Sequence, residues 1–275
     1  MPIPLEDNFN DILGKAQRGL KISDSELAAK SGVSTESVQQ LRGGVFDENV
    51  ARRVAPAMGL NADALVASGK KSWQPQPVVL DGLAQFNTPF DDMFVNSYIV
   101  ASGGEAAAFD TGADCSPMLD FLAEHKLRLR LLLLTHTHGD HIFDIDRLKE
   151  KTGALAFVGA REPLDGAEPF EAGRAFALGS LKIETRLTWG HSKGGITYVV
   201  RGLARPVAVV GDALFAGSMG GGSVSYADAL RTNREEIFTL PDETVVCPGH
   251  GPMTSLGEEK IHNPFFTTSS LFPKS

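Results

Sequence analysis

The spacing of apolar and polar residues divides the chain into two regions with different predicted secondary structure. Up to about Gly69, apolar residues recur at helical spacing and no convincing strand pattern occurs. From Val78 onward, apolar and β-branched runs alternate with glycine-containing turns, which predicts strands and helices joined by short loops. Two prolines between the regions prevent a continuous helix there. We therefore predict a small all-α domain over residues 1–71, a linker over 72–77 and an α/β domain over 78–275.

Part of the first region has the pattern of a helix-turn-helix. A short predicted helix ends at Gly32, and a second helix follows with a polar cap at Ser34. In that second helix Val38 and Leu41 lie on one face. The pattern over residues 9–68 resembles the Cro/repressor (Xre-type) helix-turn-helix family, which implies a compact bundle of about five helices.

Three polar side chains of the second helix lie away from its apolar face and could read base edges in a DNA groove. They are Gln39, Gln40 and Arg42. Residues 1–70 contain eight Lys and Arg against nine Asp and Glu, whereas DNA-binding domains obtain much of their affinity from basic contacts with phosphates. Two interpretations stay open for the helical domain: DNA binding, and a scaffold or homodimerisation module whose three polar side chains are simply solvated.

The second region predicts a layered α/β architecture. Strands are expected at residues 78–80, 94–100, 106–109, 129–134 and 154–158, with helices near 118–126 and 142–151. Strands then dominate through Val210. Such an order favours sheets covered by helices.

A cluster of histidines follows the apolar strand at 129–134. Residues 135–141 read Thr-His-Thr-His-Gly-Asp-His, which places three imidazoles and one carboxylate within six positions. His191, Asp212 and His250 also occupy loops at the ends of predicted strands. Because such loops tend to converge on one rim of a layered sheet, we expect these side chains to meet there. Imidazoles and carboxylates suit zinc, and also iron or manganese, and leave coordination positions for water.

This ordered set is similar to that of the metallo-β-lactamase superfamily, whose HxHxDH signature is matched by His136, His138, Asp140 and His141. The resemblance covers about residues 78–265 and implies an αββα sandwich that holds two divalent metal ions. It implies that one ion is bound by His136, His138 and His191, the second by Asp140, His141 and His250, and that Asp212 bridges them. It also implies a supporting position for Asp110, which would orient a ligand histidine.

The sequences around Asp212 and His250 resemble the short glyoxalase II-like branch of that superfamily. They read Gly-Asp-Ala-Leu-Phe-Ala-Gly-Ser over residues 211–218 and Cys-Pro-Gly-His-Gly-Pro over 247–252. The resemblance implies hydrolysis of small-molecule thioesters or esters by a metal-bridging hydroxide, with Asp140 and Asp212 as the catalytic carboxylates.

Three further residues are candidates for substrate contact. Lys193 lies next to His191 and could contact an anionic substrate, or could be a solvated lysine. Gly220 and Gly221 leave room for the backbone to approach a substrate, or belong to a plain flexible loop.

Two other functions stay open. One is a mononuclear-iron persulfide dioxygenase, a branch that keeps much of the same ligand set. The other is a DNA-binding regulator in which the metallo-hydrolase domain acts as a ligand sensor.

Composition and sequence patterns limit the binding partners and the cellular location that we expect for the protein. The chain is 42 % hydrophobic and 22 % charged with a net charge of −8, which argues against a surface that binds nucleic acid or anionic membranes throughout. The N-terminus lacks a basic stretch followed by an apolar core, and no apolar run approaches the ~20 residues of a membrane span. We therefore expect a cytoplasmic protein. Cys115 and Cys247 are too far apart to indicate a cysteine zinc site.

Overall fold

The computed structural model describes residues 3–266. Residues 1, 2 and 267–275, and with them the outer ends of both predicted domains, lie outside the described residues. Five helices come first: α1 (Phe9–Leu20), α2 (Asp24–Ser31), α3 (Thr35–Arg42), α4 (Glu48–Ala57) and α5 (Ala62–Gly69). None of the helices in the described part of the chain meets the requirements of a membrane span, and α1 has only 12 residues.

Two six-stranded sheets follow, with helices between some of their strands. The first sheet contains β1 (Leu83–Phe90), β2 (Met93–Ser102), β3 (Glu105–Phe109), β4 (Arg128–Leu133), β5 (Leu155–Gly159) and β6 (Glu168–Phe170) in that order. The second has the order β12 (Thr254–Ser255), β11 (Val245–Pro248), β10 (Val207–Gly211), β9 (Ile196–Arg201), β8 (Leu181–Leu187), β7 (Ala175–Leu178). The helices are α6 (Ser116–Glu124), α7 (Gly139–Ile142), α8 (Ile145–Thr152), α9 (Tyr226–Thr232), which continues as a π-helical turn over Asn233–Ile237, and α10 (Leu256–His262).

Alternating side chains on the strands place the two sheets face to face. In β10, Val207 and Val209 pack between the sheets, whereas Ala208 and Val210 point to the opposite face. The outer face of the first sheet packs against α6 and α8. The outer face of the second packs against α9 and α10. The result is the predicted αββα sandwich, preceded by helices.

The helix ends in the first region follow from capping residues in the sequence. Ser23 accepts a hydrogen bond from the Glu26 amide, and the Glu26 carboxylate accepts one from the Ser23 amide. Gly32 ends α2 with φ 64°, a left-handed conformation that glycine adopts without steric cost. Ser34 caps α3. Helices α2 and α3 follow each other across the turn at Gly32. That they form a helix-turn-helix of the Cro/repressor type, and what it does, stay predictions.

The helical bundle packs directly against the αββα sandwich. One continuous apolar cluster joins α1–α5 to α9, α10 and the outer face of the second sheet. The Asn61 amide donates to the Pro264 carbonyl at 2.8 Å, and the Trp73 ring stacks on His262 at 4.6 Å between centroids. The predicted boundaries at residues 71, 72, 77 and 78 stay predictions, since shared packing does not say which part folds alone.

One predicted strand is wrong. Residues 78–80 pair with no strand, and Val79 is 92 % exposed. The first strand is instead β1, a sheet edge whose polar residues and Pro89 break the apolar pattern, which an edge position tolerates.

Candidate metal centre

The candidate ligands come together at one rim of the sandwich. Asp110 follows β3, residues 135–141 follow β4, Asp212 follows β10 and His250 follows β11. These strands run parallel in pairs, β3 with β4 and β10 with β11, so their carboxyl ends lie at the same edge. His191 comes from the loop between β8 and β9.

Seven side chains form two adjoining groups whose donor atoms lie within 4.8 Å of one another in each group. One group is His136, His138, His191 and Asp212, and the other is Asp140, His141 and His250. In the first group, His138 Nδ1 lies 3.0 Å from His136 Nε2 and 3.1 Å from His191 Nε2.

Asp212 lies between the two groups. Its Oδ2 is 3.3 Å from His191 Nε2 in the first group, and its Oδ1 is 3.3 Å from His141 Nε2 in the second. His250 Nε2 lies 3.3 Å from Asp140 Oδ2 and 3.5 Å from Asp212 Oδ2. The carboxylate of Asp212 therefore reaches donors of both groups.

Hydrogen bonds at the outer ring nitrogens turn the inner nitrogens toward the centre of each group. His191 Nδ1 donates to the Gly221 carbonyl at 3.0 Å, and His250 Nδ1 donates to the Phe94 carbonyl at 2.6 Å. A histidine that donates from Nδ1 presents an Nε2 lone pair when neutral, which is the atom a metal requires.

Asp110 performs the same task for His141 with a carboxylate. Its Oδ2 accepts from His141 Nδ1 at 2.8 Å and from Thr135 Oγ1 at 2.7 Å, while its Oδ1 accepts from the Thr135 amide at 2.7 Å. Asp110 has φ 57°, an uncommon value for a non-glycine residue. The turn after β3 thus holds this carboxylate against both the His cluster loop and one of its histidines.

The pKa values of four of the histidines are shifted in opposite directions in the two groups. Burial lowers the pKa of His136 well below its usual value and lowers that of His191, so both stay neutral near pH 7. Burial opposes protonation of His141 and His250 as well. For His141 the carboxylates of Asp212 and Asp110 outweigh the effect of burial, and for His250 those of Asp212 and Asp140 do so. The pKa of His141 rises to about 10 and that of His250 to about 11.

The carboxylates keep their negative charge in spite of burial. Burial favours the neutral acid, but the histidines lower the pKa of Asp140 and hold that of Asp212 well below its usual range. His141 Nε2 and Asp212 Oδ1 are buried without a hydrogen-bond partner among the described residues. Buried negative charges converge here with buried nitrogen and oxygen atoms that lack hydrogen bonds. This combination fits divalent cations.

Gly220 and Gly221 lie against the first group. A Cβ on Gly220 would stand 1.9 Å from the Asp212 carbonyl oxygen and 2.8 Å from His191 Nδ1, and Gly221 supplies the carbonyl that His191 contacts. The glycines therefore permit close packing onto two candidate ligands. Lys193 is exposed beside His191, and its amide donates to Glu162 Oε1 at 2.6 Å.

The polar residues of α3 are exposed. Arg42 Nη1 donates to Asp24 Oδ1 of α2 at 2.8 Å, whereas Gln39 and Gln40 face solvent. The arginine charge is thus paired within the bundle.

Several residues that contact the candidate ligands or their loops were not predicted from the sequence. The carbonyls of Phe94 and Gly221 carry no sequence signal, because every residue has one. Glu162 contacts both the Lys193 amide and the Thr137 amide, linking the two histidine loops.

Glu6 lies near the second group: burial raises its carboxyl pKa, while His250 opposes the rise. No motif in the sequence predicts that this N-terminal segment reaches the centre.

Comparisons with known proteins agree with this site and fold. Residues 90–181 match the family model of the metallo-beta-lactamase superfamily. The chain is 30 % identical over 209 residues to the probable metallo-hydrolase YqgX of Bacillus subtilis, covering 66 % of this chain and 97 % of that protein. It is 27 % identical over 190 residues to the hydroxyacylglutathione hydrolase GloC of Haemophilus influenzae, covering 60 % of this chain and 89 % of that protein.

A solved structure shows the same likeness in three dimensions. The crystal structure of ETHE1 from Myxococcus xanthus superimposes with a TM-score of 0.58 at 27 % identity, covering 66 % of this chain and 83 % of that one. Family model, relatives, fold and the converging His/Asp groups agree, and the chain belongs to the metallo-β-lactamase superfamily.

Proposed function

We propose that this metallo-hydrolase is a thioesterase of the glyoxalase II type that uses two divalent metal ions, with zinc preferred over iron or manganese. The observation that carries the proposal is the position of Asp212, whose two oxygens reach the donors of both groups. A carboxylate placed in this way suits a pair of ions at short separation better than one ion.

Each residue group has a separate task in the proposed reaction. His136, His138 and His191 would hold one ion, and Asp140, His141 and His250 the other. Two bound cations would lower the pKa of a water molecule toward neutrality and polarise the thioester carbonyl. Asp140 would accept a hydrogen bond from the attacking water and orient its lone pair, and exposed His138 marks where substrate enters.

Two further observations favour a thioester as substrate. The sequences around Asp212 and His250 resemble the glyoxalase II-like branch, and one relative is named a hydroxyacylglutathione hydrolase. Lys193, exposed beside His191, remains a candidate contact for an anionic substrate.

The test is a substrate panel with protein whose metal content has been measured. Thioesters, lactones, β-lactams and phosphodiesters are compared, with Asp212→Ala as the control for metal-dependent turnover. We expect thioesters to be hydrolysed fastest and the variant to lose at least about a thousandfold in kcat/KM. Intact thioesters alongside turnover of another ester class would refute the thioesterase assignment.

A mononuclear-iron persulfide dioxygenase is the second candidate. The observation in its favour is that His136, His138, His191 and Asp212 alone form a complete set of imidazole and carboxylate donors, which also suits Fe(II). One iron per chain and oxygen uptake with a persulfide would support this function over hydrolysis.

For the helical bundle we propose a scaffold role, with homodimerisation as one form of it. Pairing of Arg42 with Asp24 and the balance of eight basic against nine acidic residues over 1–70 leave few charges for phosphate contacts. The sensor-regulator alternative requires duplex DNA binding that weakens steeply with salt. Measurable binding at ~50 mM salt would favour the regulator, and its absence would favour the scaffold.

A further inference from the structure

A cleft of about 640 Å³ lies between the helical bundle and the hydrolase part. On one side it is lined by the basic side chains of α1 and the residue that follows it, Lys15, Arg18 and Lys21. On the other side it is lined by residues 221–227, the loop that enters α9. The helical bundle thus contributes one wall of a cavity whose other wall belongs to the hydrolase part.

All charged side chains that line this cleft are basic. No acidic residue lines it, and among residues 3–266 neither Arg18 nor Lys21 forms an ion pair. Lys15 is neutralised by an ion pair with Asp7 and also donates to the Met219 carbonyl at 2.9 Å. In a chain of net charge −8, two exposed and unpaired cations at one cleft create a local positive potential that attracts anions.

The walls of the cleft are held by close packing. A Cβ on Gly19 would stand 2.2 Å from Cγ of Tyr226, so α1 rests directly on the ring of the first residue of α9. Gly222 has no room for a side chain either, because a Cβ would stand 2.4 Å from Cα of Tyr226. These contacts fix the spacing between the cationic helix and the opposite loop.

The cleft borders the metal-binding groups through one residue. Gly221 lines the cleft, and its carbonyl accepts the hydrogen bond from His191 Nδ1 at 3.0 Å. His191 Nε2 in turn faces Asp212 Oδ2 at 3.3 Å. Gly221 is thus shared between the wall of the cleft and the hydrogen bond that orients His191.

We propose that Arg18 and Lys21 form an anion subsite that selects substrates carrying a carboxylate at a distance from the thioester carbonyl. The proposal rests on the thioesterase function proposed above and deepens it by naming the substrate charge. The helical bundle then determines specificity, since it supplies both cations. Arg18 in particular can donate two parallel hydrogen bonds to a carboxylate.

The test compares carboxylate-bearing thioesters with their neutral methyl esters. Two matched pairs are used, one with the carboxylate on the acyl part and one with it on the thiol part. The variant Arg18→Gln/Lys21→Gln removes both charges at exposed positions. Lys30→Gln is the control, because Lys30 is an exposed cation of α2 that does not line the cleft. Metal content and melting temperature are measured for every protein.

We expect the double variant to raise KM about tenfold for at least one carboxylate substrate, with kcat nearly unchanged. The neutral methyl esters and the Lys30→Gln protein should show the wild-type KM, and added salt should reduce the wild-type preference. Equal KM changes for charged and neutral substrates, or no change for either pair, would overturn the subsite.

A failure of the thioesterase proposal can be told apart from a failure of the subsite. If the wild type hydrolyses no thioester, calorimetric titration of the metal-loaded protein with adipate tests the cleft directly. Weaker adipate binding to the double variant than to wild type and Lys30→Gln would support the subsite. Equal affinity in all three proteins, or no binding to wild type, would refute it.

Discussion

The Asp110 carboxylate accepts hydrogen bonds from His141 and twice from Thr135, and all three donors belong to the loop of the His cluster. It acts on the site without being one of the seven donors. Replacing it by asparagine keeps the size of the side chain but places an NH2 group among donors. The single amide oxygen can fill only one of the two carboxylate positions, so either His141 Nδ1 or the Thr135 amide loses its acceptor.

We predict that Asp110→Asn weakens metal binding at the second group by about 10- to 100-fold, because the orientation and tautomer of His141 are no longer fixed. Competition with a chelator measures the change. Asp114→Asn is the control, since Asp114 is exposed and its Oδ1 contacts Ser116 and Arg147. Unchanged affinity in Asp110→Asn would contradict this role.

Glu259 is a fully buried acid away from the metal centre. Burial raises its carboxyl pKa to about 8, although Asn263, Gly217 and Thr254 donate to it. An unfolded chain releases this proton near the ordinary glutamate pKa of 4.5, so between about pH 4.5 and 8 the folded state binds more protons. The contribution of Glu259 to stability is therefore largest below pH 4.5 and falls as pH rises through this window.

We predict that the free energy of unfolding of wild type falls relative to Glu259→Gln by up to about 1.4 kcal/mol per pH unit over that window. Glu259→Gln is itself destabilised at low pH, because its amide NH2 meets donors. Denaturant unfolding of both proteins from pH 5 to 8 gives the difference. A difference independent of pH would show that Glu259 ionises normally.

At the residue scale, the convergence of the seven candidate ligands was predictable, because imidazole and carboxylate side chains after apolar strands are a chemical signal in the sequence. The acceptors behind them were not. Phe94 and Gly221 act through carbonyls that every residue possesses, and only the fold brings them to His250 and His191.

At the scale of elements, the loop at Gly220 and Gly221 shows a similar limit. The glycines predicted either substrate approach or flexibility, whereas the structure places Gly220 in contact with Asp212 and His191. A glycine required by close packing and a glycine in a mobile loop look the same in a sequence.

We predict that Gly220→Ala displaces these ligands, lowers metal affinity at least tenfold and costs about 1–3 kcal/mol of stability. Gly221→Ala is a close control, because its Cβ would meet only Ser223 Oγ at 3.7 Å. Metal titration and thermal unfolding of both variants provide the measurements. Equal behaviour of the two variants would mean that the loop yields to the extra methyl group.

The strands show which patterns identify an element. Strand β10 is an uninterrupted and fully buried apolar run. Strand β4 is rich in leucine, and its observed ends differ from the predicted ones by one residue. Edge strand β1 contains Gln85, Asn87 and Pro89, so it lacks a regular apolar alternation, whereas the apolar segment 78–80 has the composition of a strand without forming one. Apolar composition indicates a strand only where both faces are covered.

At the scale of the whole molecule, the bundle and the sandwich share one apolar cluster. The sequence predicted a linker between two domains but contained no sign of this contact, because α1, α9 and α10 are distant along the chain. Surfaces that pack in this way are expected to unfold together.

We predict a single cooperative unfolding transition. In Trp73→Phe the remaining tryptophan, Trp189, reports on the hydrolase part, while far-ultraviolet circular dichroism includes the helices of the bundle. Both signals should give one midpoint in urea. Separate midpoints would show that the bundle and the sandwich are independent.

The central claim is that two metal ions and one shared carboxylate hydrolyse thioesters. Titration of zinc into metal-free protein, with thioester hydrolysis followed at each step, tests it most directly. We predict that activity rises until two equivalents per chain are bound and then stays constant. Full activity at one equivalent, or no thioester hydrolysis with both equivalents bound, would contradict the account.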